Sequence, residues 1–390
     1  MSVPDTSITR ASVPGTGAPA SALVIGGGFS GTSAALELAR RGVRVDLVEI
    51  TPEWGTYGAG ISIGGPTLRA LRTLGVLDRY LAEGAAFDGT DVLRADGHPL
   101  VSLPSPRVAG EDVPGNGAIM RPLLQQILSE AALAAGVRVH LGSTATDLVD
   151  DGTGVTARLT DGSEHRYDVV VGADGLYSRT RRSLFPDVPG PHYSGQGVWR
   201  AVLPLHPGIT RTTLWIGDDV KVGLNPVSDR EMYLFVNENI PDHRRVPDEE
   251  LLPRLLALLE PFSDPRLRSA RDQLDETSLI SFRPLEGLLV DTPWHLGRIV
   301  LIGDAVHATT PHLAAGAGIG IEDAIVLADE LCSGAGVEAA LSAFEERRWE
   351  RCAMVVNNSG RLGQIEITRG DRQEHAQLMD ASFTALLAPI

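Results

Sequence analysis

The chain has 390 residues, of which 43% are hydrophobic and 22% charged, and a formal net charge of −16. This length allows two or three domains with a sizeable core, and the negative charge argues against nucleic acid or an anionic membrane as a partner. No apolar run approaches the length of a membrane span, and Cys332 and Cys352 are interpreted as buried thiols of a reducing cytoplasm.

The N-terminal region predicts a leader followed by a βαβ unit. Residues 1–20 are rich in Ser, Pro, Thr and Gly and contain no apolar core of a signal peptide, so they predict a disordered leader. An apolar strand over residues 22–27 then enters a G-x-G-x-x-G turn. A helix over residues 30–41 and a second strand over residues 43–49 complete the unit.

The glycine turn and the acid after it predict dinucleotide binding, with a merely structural turn as the alternative. Gly26 permits the tight turn, Gly28 lets a pyrophosphate approach the backbone, and Gly31 lets the helix pack closely on the strand. Glu49 lies where a carboxylate can accept hydrogen bonds from a ribose. N–H groups at the helix start favour phosphates. The predicted cofactor residues of this unit are Gly26, Gly28, Phe29, Ser30, Gly31 and Glu49.

Two further motifs follow along the chain. A buried-type strand over residues 167–171 ends in Gly172-Ala173-Asp174-Gly175, with Ser178 and Arg181 downstream, and an ordinary Asp-Gly turn is the alternative. A strand over residues 298–302 ends at Gly303-Asp304. The glycine-rich run 316–320 then leads into a predicted helix over residues 319–332.

Together, these motifs resemble those of the class A flavin-dependent aromatic hydroxylases, single-component FAD monooxygenases that use NADH or NADPH. The resemblance covers about residues 22–361 and is strongest to small members such as salicylate and urate hydroxylases. It implies an α/β fold: a Rossmann-like FAD-binding domain, an inserted antiparallel β-sheet substrate domain and a long C-terminal helix. It also implies non-covalent FAD, transient NADPH or NADH, and oxygen transfer from O₂ to an aromatic molecule through a C4a-hydroperoxyflavin.

The resemblance assigns more residues to the cofactor. In the family, the aspartate at Asp304 contacts the ribityl chain, and the segment of Asp174 lies near the pyrophosphate. Arg121, which precedes a predicted helix over residues 122–135, matches an arginine directed at the cofactor; a surface arginine is the alternative. Many relatives have Gln at Ala315 and Asn at Gly318, changes that leave backbone contacts intact. The other residues assigned to the flavin are Pro311, Gly316, Ala317 and Gly318.

A β-rich segment interrupts the nucleotide-binding motifs. Its predicted strands are 197–203, 212–216, 220–227 and 232–236, followed by short helices over 246–259 and 265–273. By the resemblance, residues 87–103 and 191–275 form the substrate domain. The discontinuous FAD domain comprises residues 21–86, 104–190 and 276–366 and includes a long helix over 337–361, and a C-terminal tail follows over 367–390.

Four side chains are candidates for substrate chemistry. Lys221 and Tyr233 fall where urate hydroxylases place a basic residue and a tyrosine, and Arg200 falls where several relatives have an arginine. Cations there would favour an ionised phenolate or carboxylate; alternatively, Arg200 and Lys221 face water and Tyr233 is core. His312, on the loop expected over the flavin ring, is the candidate general base. His307 is interpreted as structural, and no histidine and cysteine cluster has metal spacing.

The predicted function is therefore NAD(P)H- and O₂-dependent hydroxylation of a phenolic or related aromatic molecule by a cytoplasmic monomer or homodimer. The Ala, Arg and Gly richness suggests a high-GC bacterial origin, and the resemblance then implies a role in secondary metabolism, which enzymes of this kind often have in such bacteria. A flavin halogenase is disfavoured because no tryptophan lies in a Trp-x-Trp-x-Ile-Pro segment. Two alternatives are left: an FAD-dependent dehydrogenase or reductase without oxygen insertion, and a non-enzymatic FAD-bearing redox sensor.

Overall fold

The structure is a computed structural model that describes residues 17–55, 58–291 and 293–390. The leader predicted for the N-terminus falls almost wholly outside these residues. None of the helices within the described ranges combines the length and apolar character that a membrane-spanning helix needs.

The described residues form sheets and helices that alternate along the chain. The strands are β1 (Ser21–Ile25), β2 (Arg44–Glu49), β3 (Gly60–Gly64), β4 (Ala85–Phe87), β5 (Thr90–Arg94), β6 (Pro99–Leu103), β7 (Asn116–Met120), β8 (Arg138–Leu141), β9 (Ala145–Asp150), β10 (Val155–Leu159), β11 (Glu164–Tyr167), β12 (Val169–Gly172), β13 (His192–Pro204), β14 (Thr212–Ile216), β15 (Val220–Pro226), β16 (Glu231–Asn239), β17 (Ser281–Gly287), β18 (His295–Leu296) and β19 (Ile299–Leu301). The helices are α1 (Phe29–Arg40), α2 (Gly65–Thr73), α3 (Leu77–Glu83), α4 (Arg121–Ala134), α5 (Arg179–Leu184), α6 (Asp248–Leu259), α7 (Pro265–Asp272), α8 (Asp304–His307), α9 (Gly316–Leu331), α10 (Val337–Thr368) and α11 (Arg372–Leu387), with a 3-10 turn at Pro311–Leu313.

The first sheet has the strand order β18-β19-β12-β1-β2-β8 and is parallel except for the edge strand β18. Strand β1 at its centre is buried on both faces. Ala22 and Val24 belong to the large core that includes α1 and α9. Leu23 and Ile25 pack with the three-stranded sheet β11-β10-β9 on the other side. Burial between two layers explains the continuous apolar run in this part of the sequence.

Several element boundaries differ from the sequence prediction. The strand predicted over 167–171 is two strands, because Asp168 separates β11 from β12. The Asp168 carboxylate accepts hydrogen bonds from the N–H groups of Ala20 (2.8 Å) and Ser21 (2.9 Å). Helix α9 begins at Gly316, three residues earlier than predicted, and α10 continues to Thr368. The predicted tail contains α11, which packs against α10.

The second sheet has the order β17-β13-β16-β15-β14-β5-β6, and its pairs are antiparallel except for β14 with β5. One face forms a separate core with α6 and α7 that includes Trp199, Trp215 and Leu234. At the other face, β15 and β16 contact the small sheet β3-β7-β4. Two features depart from the predicted substrate domain, which ended at residue 275 and began at Phe87. Strand β17 of the second sheet lies beyond residue 275, and Phe87 belongs to β4 of the small sheet.

Candidate cofactor and substrate site

The glycine turn between β1 and α1 combines two tightly packed glycines with one that is open. Gly26 has φ of +105°, and a Cβ there would lie 2.4 Å from the carbonyl oxygen of Ala173. A Cβ at Gly31 would lie 2.0 Å from the carbonyl oxygen of Gly26. A Cβ at Gly28 would have no protein atom within 4 Å, and no side chain caps α1 there. The backbone at Gly28 is therefore accessible to a phosphate group.

The carboxylate of Glu49 is fixed at the end of β2. One oxygen accepts a hydrogen bond from the N–H of Gly27 at 2.7 Å, and the other accepts two from Thr51 at 2.9 Å. Each oxygen keeps capacity for another donor, such as a ribose hydroxyl. Two residues that no motif indicated, Trp54 and the buried Gln125, each donate to the carbonyl oxygen of Gly27 at 2.9 Å. Because both residues are far from the turn in sequence, no local pattern indicated these two hydrogen bonds.

The Gly303-Asp304 turn lies against the same end of α1. Gly303 has φ of +61°, and a Cβ there would lie 2.4 Å from Ser30 Oγ. A Cβ at Gly320 would lie 2.2 Å from the same oxygen. The hydroxyl of Ser30 thus lies where α1, the turn and α9 meet. Three motifs that are far apart in sequence come together at this point.

Asp304 lies in a recess: its side chain is exposed, yet protein surrounds it closely enough for desolvation to raise the pKa of its carboxyl. The charges of His307 and Arg121 partly oppose that rise. Arg121 stacks over the ring of Phe29, with 5.2 Å between the guanidinium carbon and the ring centroid. Burial lowers the pKa of Arg121, and the nearby charge of Arg200 lowers it further. The N–H of Arg121 donates to the carbonyl oxygen of Ala59, next to the glycine against which Tyr233 packs, so Arg121 adjoins the second sheet.

A buried ionic network of residues on α8, α9 and α10 holds the Gly303-Asp304 turn in place. Asp323 on α9 accepts hydrogen bonds from the N–H of Gly303 (2.9 Å) and from Arg348 Nε (2.8 Å), and it contacts His307 Nε2 at 2.5 Å. Burial alone would lower the pKa of His307, but Asp323 raises it well above its ordinary value. His307 is thus structural, as its position suggested. The acidic pair at 322–323, which lies between apolar residues on both sides, is the feature of the sequence that indicates this network.

His307, Asp323 and Cys352 also lie within 4.8 Å of one another and could offer three ligands to a metal ion. However, Arg348 already contacts this group: its Nη2 lies 3.4 Å from the Cys352 sulfur, and its Nε bonds Asp323. A metal ion would have to lie beside this buried guanidinium cation. We therefore interpret the group as a charge network and not as a metal centre.

The predicted role of Asp174 requires correction. Its carboxylate accepts hydrogen bonds from the hydroxyl of Ser178 (2.5 Å) and from the N–H groups of Arg179 (2.8 Å) and Thr180 (3.0 Å). These bonds satisfy the free donors at the start of α5. The side chain is committed to that helix, so the motif supports the site through the backbone of Ala173 beside Gly26 and not through the aspartate.

Helix α9 follows the 3-10 turn that Pro311 begins, and its Gly320 packs against Ser30 beside Gly303. No side chain caps the N-terminus of α9, where Gly316, Ala317 and Gly318 form the first turn. A Cβ at Gly318 would lie 2.2 Å from Thr67 Oγ1, so a hydroxyl of α2 takes the space of a side chain. This contact explains the glycine where many hydroxylases have asparagine. The free N–H groups and the helix dipole favour partial negative charge on a ligand.

The second sheet places Arg200, Tyr233 and Lys221 on one face. Tyr233 pairs with Val202 and Asn225, and Lys221 pairs with Asn237, so these residues alternate with those of the helix-covered core. Arg200 Nε donates to the Tyr233 hydroxyl at 3.0 Å. Between them and Lys221, the ring of Phe235 lies across Gly223, where a Cβ would come within 2.1 Å of the ring. Tyr233 itself is only 6% exposed and packs in a small apolar cluster, whereas Arg200 and Phe235 are half-buried and are the more accessible side chains of this face.

Two predicted substrate residues have protein partners instead. Lys221 Nζ lies 2.6 Å from a carboxylate oxygen of Glu366 on α10, so it is not a free cation. His312 is buried, with Nδ1 2.9 Å from Thr310 Oγ1 and Nε2 3.4 Å from Glu366. Burial lowers the pKa of His312. Because the ring is buried, with Nε2 directed at Glu366 without a hydrogen bond, this geometry does not support His312 as the general base.

Known proteins resemble this chain over most of its length. A family model described as "FAD binding domain" matches residues 20–359. The putative FAD-dependent monooxygenase YetM of Bacillus subtilis is 32% identical over 343 residues, which is 87% of this chain and 92% of YetM. The 2-heptyl-3-hydroxy-4(1H)-quinolone synthase of Pseudomonas aeruginosa is 33% identical and covers 88% and 90% of the two chains. The crystal structure of Klebsiella pneumoniae HpxO with FAD and uric acid superposes with a TM-score of 0.81 at 25% identity, over 94% of this chain and 92% of HpxO.

Proposed function

Because this chain belongs to the FAD-dependent monooxygenase family, we propose that it uses O₂ and NAD(P)H to hydroxylate a phenolic or related aromatic small molecule. The observation that carries the proposal is the position of Arg200 and Tyr233. Tyr233 packs against Gly60, and the neighbouring carbonyl oxygen of Ala59 accepts a hydrogen bond from the N–H of Arg121 at 3.1 Å. This sheet face therefore adjoins the proposed cofactor site at Arg121.

The residues around the recess fit FAD. The open backbone at Gly28 suits the pyrophosphate, Glu49 suits a ribose, and Asp304 suits the hydroxyls of the ribityl chain. The N-terminus of α9 suits a partial negative charge on the ring system. When bound, FAD supplies electron acceptance from NAD(P)H and the activation of O₂.

The substrate surface supplies orientation and charge. Arg200 and Tyr233 would bind a phenolic or enolic oxygen, and the cation would lower the pKa of that hydroxyl and make the ring more nucleophilic. Phe235, flat over Gly223, would pack against the aromatic ring. Two of the compared proteins agree with a fused-ring substrate: one is named for a quinolone and the other was crystallised with uric acid. A role in secondary metabolism is part of the proposal.

A cytoplasmic location is also proposed. Both cysteines are free, with Cys352 buried and Cys332 half-buried, which suits a reducing compartment. The enzyme would act as a monomer or homodimer. Light scattering on the FAD-loaded protein in solution measures its mass and distinguishes the two states.

The test is oxygen incorporation. The FAD-loaded protein is mixed with NADPH or NADH and a panel of phenolic and fused-ring aromatic compounds under ¹⁸O₂. We expect at least one compound to stimulate NAD(P)H oxidation and to gain one ¹⁸O atom. Stimulated oxidation without ¹⁸O in any product would support a dehydrogenase or reductase. No stimulation by any compound would support a redox sensor.

A further inference from the structure

The carboxylate of Glu366, near the C-terminal end of α10, contacts titratable side chains of three other elements and also Gln196 of β13, whose Nε2 lies 3.5 Å from Oε2. Lys221 on β15 lies 2.6 Å from Oε1, His375 on α11 lies 3.3 Å from the same oxygen, and His312 in the 3-10 turn lies 3.4 Å from Oε2. Burial alone would raise the pKa of Glu366, but Lys221 and His312 hold it well below its ordinary value. Glu366 is therefore an ionised carboxylate in the folded chain.

This arrangement removes Lys221 from substrate binding. The side chains of Lys221 and Glu366 are only 20% and 21% exposed, so water screens their attraction poorly. Because Glu366 neutralises Lys221, a substrate carboxylate that approached this lysine would gain little attraction and would meet the like charge of Glu366. Glu366 thus takes the place at Lys221 that a substrate carboxylate would need.

Arg200, the other cation on this sheet face, lies at a distance from Lys221. Arg200 and Lys221 are on β13 and β15, with β16 between them and an offset of two residues along the strands. Strand spacing and rise place their Cα atoms roughly 12 Å apart. A ring oxygen bound by Arg200 and Tyr233 would therefore leave the opposite end of a fused-ring substrate near the Lys221–Glu366 pair. Asn237, the strand partner of Lys221, has a buried side-chain oxygen without a hydrogen-bond partner among the described residues, so this end can accept a hydrogen bond from a neutral donor.

We propose that Glu366 determines substrate specificity: by neutralising Lys221, it selects aromatic substrates that carry no carboxylate at the end opposite the hydroxylated ring. This inference rests on the proposed function, since it assigns the charge class of the substrate for the same pocket. It also changes the role of Lys221 from a receptor for anions to one half of an internal ion pair.

The experiment compares two ligands that differ by one carboxylate, 2-naphthol and 6-hydroxy-2-naphthoate. In the second ligand, the hydroxyl and the carboxylate lie at opposite ends of the ring system. Each ligand is titrated into the FAD-loaded protein, and binding is followed by the visible absorption of the flavin. In the natural protein, we expect the carboxylate to weaken binding by about tenfold or more, as an unpaired charge beside Glu366 requires.

Two variants complete the design. Glu366→Gln frees the cation of Lys221, so the carboxylate should then strengthen binding by about tenfold relative to 2-naphthol. The double variant Lys221→Met/Glu366→Gln removes both charges and should show no gain from the carboxylate. Flavin content and circular dichroism establish that each variant is folded, and the double variant serves as the reference if Glu366→Gln retains too little FAD.

Three results would overturn the inference: equal or tighter binding of the naphthoate by the natural protein, an unchanged ligand ratio in Glu366→Gln, or an equal gain in the double variant. Absence of any flavin perturbation by both ligands in all three proteins would also contradict it, because the pocket would then not accept fused rings. None of these outcomes depends on turnover. Failure of the proposed hydroxylation would instead appear as a lack of ¹⁸O incorporation, whichever ligand binds.

Discussion

Gly28 and Gly31 are glycines for different physical reasons, although both belong to one G-x-G-x-x-G turn. A side chain at Gly31 would collide with the backbone carbonyl of Gly26, and no rotamer change can relieve that contact. A side chain at Gly28 would meet no protein atom. Packing of the folded chain therefore requires glycine at position 31, whereas at position 28 only a bound phosphate would require it.

We expect the matched variants Gly31→Ala and Gly28→Ala to separate folding from cofactor binding. Gly31→Ala should reduce the free energy of unfolding by about 1–3 kcal/mol, since overpacking of this kind typically costs this much. Gly28→Ala should change it by less than about 1 kcal/mol, yet weaken FAD binding by about tenfold because the methyl group blocks the pyrophosphate. Urea unfolding of the FAD-free proteins and FAD titration give the two quantities. Equal loss of stability in both variants would contradict this division.

At the scale of elements, the ionic network between α8, α9 and α10 fixes the Gly303-Asp304 turn. Asp323 binds the backbone of Gly303 and the side chains of His307 and Arg348 at once. Burying these charges is tolerable only because each has a partner. The turn is thereby held at a positive φ beside Ser30, and Asp304 is directed into the recess.

This network predicts a pH dependence of stability. The pKa of His307 is raised in the folded chain by Asp323, so the folded state binds the proton more tightly. The stabilisation is complete below the unfolded pKa of about 6.5 and declines as pH rises toward the folded pKa. His307→Asn cannot titrate, so the difference in melting temperature between the natural protein and this variant should shrink from pH 6 to pH 9. A difference that stays constant or grows over this range would show that His307 is neutral when folded.

The regular elements could be predicted from sequence because their patterns are local. The strand expected over 212–216 has these bounds in the structure, and α1 and β2 differ by a single residue at their ends. The predicted fold class, FAD cofactor and monooxygenase family are confirmed by the family match and the relatives. Helix α10 is longer than predicted. It continues without a break beyond residue 361 and ends only at Arg369, where the backbone has φ of +51°.

Side-chain partners could not be predicted in the same way. Lys221 and Glu366 are 145 residues apart, and no periodicity in either segment indicates the other. The carboxylate of Asp174 fits a helix cap and a cofactor contact equally well in sequence, and only the positions of the α5 N–H groups decide between them. His312 was expected on a loop over the flavin, and no local pattern indicated that it is buried or that its Nε2 lies near Glu366 of α10.

At the scale of the whole molecule, the cofactor site is assembled from distant segments, since residues 26–31, 121, 303–304 and 316–318 all border the recess. FAD should bind the folded chain and not the unfolded one, so FAD at 100 times its Kd should raise the free energy of unfolding by about 2.7 kcal/mol. Asp304→Ala should leave the FAD-free melting temperature unchanged, because this exposed side chain belongs to no core. The same FAD concentration should then stabilise the variant much less, because its Kd is higher. Thermal unfolding with and without FAD measures both effects, and equal stabilisation of the two proteins would remove Asp304 from the cofactor site.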